Sequence, residues 1–162
     1  MRALLASFAL LTLTACGLSP MYAGGGSGQV ARGLAAVEVA PIEGRAGWLM
    51  RNALADRLGA AGAESPRYRL DVRLDDQLEA LGILADDTVS RERRTLRARY
   101  QLVDISSGEI LLDATDGSDA GIDVVSSEYA TIAAEQKALE NLAQVLADDI
   151  VTRLSLTLRR AQ

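Results

Sequence analysis

Apolar residues recur at every second position from Tyr68 through Leu70, Val72 and Leu74, set against Arg67, Arg69, Asp71, Arg73 and Asp75. This period of two predicts a strand with one face in a core and the other in water. Leu78 keeps the parity while Leu81 and Ile83 lose it, which predicts a bulge or the strand's end near residues 80–82. A second strand of the same design follows, with Leu96, Ala98, Tyr100 and Leu102 inward and Arg91, Arg93, Thr95, Arg97, Arg99 and Gln101 outward. After a turn over residues 104–108, Ile110, Leu112 and Ala114 begin a fourth strand that Ala120, Ile122 and Val124 resume. The cluster Asp116-Gly117-Ser118-Asp119 between them predicts a kink or bulge. Upstream, Val37 and Val39 alternate with Ala36, Glu38 and Ala40 until Pro41 closes a short first strand.

Two stretches change to the helical period. Over residues 45–58, Met50, Leu54 and Leu58 fall on one stripe with Leu49 and Ala53 beside it, and Gly59 and Gly62 end the run. From Ser127 to about Leu158, a broad stripe runs through Tyr129, Ile132, Ala133, Leu139, Leu142, Ala143, Leu146, Ile150 and Leu154, with Ser126 or Ser127 available as its cap. Such a helix is roughly 45 Å long at 1.5 Å per residue, more than a small sheet covers, so its C-terminal turns are expected to project or meet a partner. Trp48 reads as a core or interface anchor. The order β-α-β-β-β-α predicts an α+β two-layer sandwich: a four-stranded sheet with two helices on one face and the other face open.

The chain of 162 residues fits one such domain. It contains no histidine and a single cysteine, which excludes a histidine triad, a thiol protease site, a CxxC redox pair, an intrachain disulfide and a Cys/His zinc site. Adjacent acids such as Asp75-Asp76, Asp86-Asp87 and Asp148-Asp149 point apart on regular elements and carry no calcium-loop spacing. Neither an enzymatic activity, a cofactor nor a metal is expected. The formal charge of −5 argues against a nucleic-acid partner.

The N-terminus reads as an address. Arg2 precedes an apolar run over residues 3–13 that is shorter than the about 20 residues needed to span a bilayer, and Leu13-Thr14-Ala15 leads into Cys16. That ending resembles the bacterial lipobox, which implies cleavage before Cys16 and acylation of that cysteine, the only covalent lipid expected. Gly17 rather than Asp follows it, which in lipoproteins of this type implies export to the outer membrane. The glycine-rich stretch after Tyr22 reads as a tether. Residues 1–15 are thus expected to be a signal peptide, 16–33 a lipidated N-terminus and tether, and 34–162 a single domain.

Lys137 is the one lysine among 17 basic residues, and the strand parity sends Arg67, Arg69, Arg73, Arg91, Arg93, Arg97 and Arg99 to one surface. Guanidinium groups bind phosphate and carboxylate oxygens bidentately, so this face is a candidate anion site. The plainer alternative is a solvated face of cross-strand Arg–Asp pairs, with only Asp71, Asp75, Glu79 and Glu92 in view as counter-charges.

The lipobox with Cys16-Gly17-Leu18-Ser19-Pro20-Met21-Tyr22, the strand-helix-hairpin order, and a long terminal helix entered through Ser127-Glu128-Tyr129-Ala130 resemble the LPS-assembly lipoproteins of the LptE family. The resemblance implies a lipid-anchored, periplasm-facing outer-membrane protein that plugs the LptD β-barrel, supports its assembly and helps carry lipopolysaccharide to the outer leaflet. The arginine face then has lipopolysaccharide as a ligand. The competing reading is an auxiliary lipoprotein of an envelope lipid transporter; a lipid-anchored hydrolase would have only Asp, Glu, Ser and Arg to work with.

Overall fold

The computed structural model describes residues 28–59, 65–83 and 89–160, so the expected signal peptide, Cys16 and the tether up to residue 27 lie outside the described residues. The elements run α1 (Gln29–Ala35), β1 (Val37–Val39), α2 (Gly44–Leu58), β2 (Tyr68–Ile83), β3 (Val89–Asp104), β4 (Ile110–Asp123) and α3 (Glu128–Arg160). The strands form one mixed sheet in the order β1-β2-β3-β4, with β1 parallel to β2 and the other pairs antiparallel. This is the α+β architecture expected, with one helix more.

That extra helix, α1, takes in residues 29–33, which the sequence reading assigned to the tether. Three residues hold it. Leu34 is buried and Val30 packs on the core, while Gly33 lies against Leu158, leaving 3.4 Å between that side chain and any Cβ added at position 33. Burial of an apolar face here outweighs the low helix propensity of glycine.

The predicted inward positions of β2 and β3 make the floor of the core. Leu70, Leu96, Ala98, Tyr100 and Leu102 are fully buried beneath Met50 and Leu54 of α2 and Leu146, Ile150 and Leu154 of α3. Each large aliphatic side chain so buried stabilises the fold by roughly 1.5–3 kcal/mol. The bulge falls where parity predicted it, with register shifts between Ala80 and Gly82 and between Gly82 and Ile83. Two glycines shape α2. Gly59 ends it in the left-handed region at φ 66°, and Gly47 passes so close to the preceding loop that an added Cβ would sit 2.5 Å from the Ile42 carbonyl oxygen.

Three expectations are corrected. β4 does not kink at residues 116–119: Asp116, Gly117, Ser118 and Asp119 pair in unbroken register with Ala98, Arg97, Leu96 and Thr95, and the irregularity lies instead at Leu102/Val103. Ladder bonds and inward partners for Asp116 override the turn propensity of that tetrapeptide. The long helix projects at its opposite end. Leu154 and Leu158 are buried, whereas Tyr129 is 88% exposed and Ile132 and Ala133 are also in solvent, because α1 adds cover at the C-terminal end and nothing described covers the first turns. Of the two readings of Trp48 the core one is overturned, since it is 64% exposed, and the interface one stays open. The start of α3 is held by the Ser127 carbonyl, which accepts from the Ala130 and Thr131 amides, and by the Thr131 hydroxyl against Val125. Among the described residues no helix is long and apolar enough to cross a membrane.

Candidate functional site

The open face of the sheet carries the odd-numbered positions of β2, β3 and β4, where arginines and acids are interspersed with Gln77, Thr95, Gln101, Thr115, Gly117 and Gly121. The seven predicted arginines do not form one free cationic surface. Arg67 sits just before β2, 3.6 Å from the Asp104 carboxylate and 5.1 Å from the Tyr68 ring centroid. Arg69 chelates Asp71 with its Nη2 2.9 Å away. Arg91 pairs with Asp123 at 3.1 Å, Arg93 with Asp119 at 3.8 Å and Arg99 with Asp113 at 3.1 Å. Arg73 and Arg97 hold no carboxylate among the described residues.

The aspartates of β4 are what the sequence reading missed. Asp113, Asp119 and Asp123 share the outward parity of that strand, so the same alternation that placed the arginines also locates them; reading residues 116–119 as a kink hid the continuity. Arg91 and Asp123 are directly opposed, whereas Arg93–Asp119 and Arg99–Asp113 are diagonal pairs, and each cross-strand pair is exposed enough to contribute under ~1 kcal/mol. The electrostatics follow the pairing. The hydrogen bond from Arg99, helped by Gln101, holds the Asp113 carboxyl below the usual carboxylate range, and reciprocally Asp113 raises Arg99. Asp71 does the same for Arg69 through its hydrogen bonds.

Arg73 and Arg97 each line a groove. Arg97 borders one of about 360 Å3 with Thr95, Thr115, Gly117 and Asp119, and the absence of a side chain at Gly117 leaves room beside the arginine, since an added Cβ would lie 3.1 Å from Arg97 Cγ. Arg73 borders a larger groove of about 760 Å3, with Arg99 and Gln101 on one side and Ala40, Pro41, Ile42 and Glu43 on the other.

The inner face holds a polar cluster that alternation could not announce. Tyr100 donates to Asp116 at 2.6 Å and Arg153 of α3 donates to the other oxygen of that carboxylate at 2.8 Å. Burial first, then the hydrogen bond to Asp116, raises the Tyr100 phenol well above its ordinary value. Further out, Arg94 chelates Asp76 and donates to the Glu135 carbonyl, tying the sheet to α3. These groups are engaged with one another, and among the described residues no cluster of His, Cys, Asp or Glu has a metal-holding arrangement.

Solved structures share this fold. A lipoprotein of Caulobacter crescentus CB15 is 28% identical, with a TM-score of 0.69 over 80% of this chain and 96% of its own. A minor lipoprotein of Acinetobacter baumannii is 16% identical, with a TM-score of 0.59 over 74% and 90%. Rare lipoprotein B of Shewanella oneidensis is 12% identical, with a TM-score of 0.52 over 77% and 96%. No curated protein matches the chain by sequence. The family model for lipopolysaccharide assembly, LptE, matches residues 34–154, from the end of α1 to the buried part of α3. By that match the chain belongs to the LptE lipopolysaccharide-assembly family.

Proposed function

We propose that the protein is an outer-membrane lipoprotein, anchored through acylated Cys16, that plugs an LptD-type β-barrel, supports its assembly and assists passage of lipopolysaccharide to the outer leaflet. Its role is to bind and to fill, not to catalyse. The observation that carries this reading is the outer face of the sheet: a broad charged surface whose arginines and aspartates largely neutralise one another. The interior of a transmembrane barrel is polar and wet, and such a surface meets it without stranding an apolar patch or a large net field.

Lipopolysaccharide carries phosphates and acidic sugars. Of the arginines first considered, Arg97 is the one we assign to these anions, because it has no carboxylate of its own and stands in a groove beside two threonine hydroxyls. The paired arginines set the surrounding potential. Detergent extraction of the full chain followed by mass spectrometry tests the partner: recovery of a large outer-membrane β-barrel supports the plug, and recovery of an inner-membrane transporter complex without a barrel overturns it. Cys16→Ala tests the anchor, which predicts loss of the acyl mass and release of the free protein from membranes.

A further inference from the structure

β1 covers only the beginning of its neighbour. Its three residues pair with Tyr68, Arg69 and Leu70, the last rung being the Ala40 amide on the Leu70 carbonyl at 3.0 Å. Pro41 then turns the chain away into α2. β2 continues for thirteen residues, to Ile83, and among the described residues no strand pairs with it on this side beyond Leu70.

The direction of the unpaired groups can be read from the rungs that exist. The Tyr68 amide donates to Ala36 and the Leu70 carbonyl accepts from Ala40, so even-numbered residues of β2 aim their backbone toward β1. By alternation Val72, Leu74, Asp76, Leu78 and Ala80 aim theirs into the vacated lane, and the odd residues serve the ladder to β3. The 760 Å3 groove runs over the outer face beside that lane, lined by residues 71–74 of β2, by residues 40–43 where β1 ends, and by Arg99 and Gln101 of β3. The side chains flanking it indicate what fits. Asp71 is taken by Arg69 and Asp75 by Gln77 at 3.1 Å, Arg99 holds Asp113, and Arg73 has no acid among the described residues. On the inner side Leu78 is exposed.

We propose that this edge is a docking slot for an extended segment of the barrel partner, which adds to the sheet in the lane of β1 and sets a carboxylate side chain against Arg73. Main-chain hydrogen bonds to Val72 and Leu74 supply the affinity, and the arginine with the Pro41–Ile42 wall supplies the choice of sequence. This rests on the barrel partner proposed above.

The test is residue-resolved hydrogen exchange of the full chain, free and in the complex recovered with the barrel. The expected result is at least tenfold slower exchange at Val72, Leu74 and Asp76 in the complex, with Arg73 and Asp75, already bonded to β3, unchanged. Failure to recover any barrel overturns the functional reading and this occupant together; a recovered barrel that leaves the even-numbered amides as fast as before overturns the slot alone. Leu74→Pro provides a second readout, since it removes an outward amide that β3 does not use and fills the lane with a ring. A folded Leu74→Pro chain should recover the barrel several-fold less well, and wild-type recovery would overturn the proposal. Should that variant fail to melt cooperatively, the exchange measurement on the unaltered chain decides.

Discussion

The phenol of Tyr100 and the carboxylate of Asp116 are 2.6 Å apart, diagonal neighbours on β3 and β4 beneath the long helix. Arg153 shares the same carboxylate, so Asp116 satisfies a buried donor and fastens α3 to the sheet at once. Asp116→Ala should cost about 1–3 kcal/mol, because it strands the buried hydroxyl, whereas Tyr100→Phe should cost about 0.5–1.5 kcal/mol, because Arg153 still holds the acid. Urea unfolding of the two variants checks the order; equal losses would show that the hydroxyl is satisfied elsewhere.

Gly47 predicts a backbone-level effect. A methyl group at this position would meet the Ile42 carbonyl oxygen at 2.5 Å and its carbon at 2.6 Å, both backbone atoms. Gly47→Ala should therefore destabilise by about 1–3 kcal/mol in spite of the better helix propensity of alanine. Thermal melts should show a lowered midpoint, and an unchanged or raised one would mean that the loop at residues 40–43 moves freely.

Acid should weaken the fold through specific carboxylates. The Asp113 carboxyl is lowered by Arg99 and Gln101, and that of Asp148 by Arg57, which binds it bidentately from α2. A depressed carboxylate contributes stability that is fully present above its unfolded value and is lost as the pH falls through the folded one. Stability should thus hold at neutral pH and decline below about pH 4. Carboxyl titration by NMR should place both midpoints below the ordinary range, and Arg99→Ser should bring that of Asp113 upward.

For the outer face, Arg97→Ser alone should remove most of the lipopolysaccharide binding and flatten its salt dependence, since of the two outer-face arginines without a carboxylate among the described residues it is the one beside the threonine-lined groove. Adding Arg93→Ser and Arg99→Ser should add little, and Arg91→Ser should serve as a folded control. Binding measured across a salt series decides, and an unaltered Arg97→Ser isotherm would reduce this face to a solvated surface.

The central hairpin was legible because its alternation is strong: Leu70, Val72 and Leu74, then Leu96 to Leu102, announce the buried face, and the loss of parity after Leu78 announces the bulge near Gly82. What was not legible depended on cover. The stripe of α3 includes Tyr129 and Ile132 as readily as Leu146 and Leu154, since periodicity records which side is apolar and not what lies over it. α1 was hidden by its glycine, whose contact with Leu158 is made across the whole length of the chain. The tetrapeptide at residues 116–119 carries turn composition, yet its inward carboxylate finds Tyr100 and Arg153, partners invisible to local propensity. The candidate face was found but its charge was misjudged, because the cations of β3 were counted without the anions of the strand beyond.

The brevity of β1 has a mechanical side. Its three residues are the whole of the parallel pairing that α1 leads into, against Tyr68–Leu70. Peeling those rungs would bare Tyr68 and Leu70 and lengthen the open lane at its closed end. The length of unpaired edge on β2 is thus set by where β1 stops, at Val39 and the Ala40 amide.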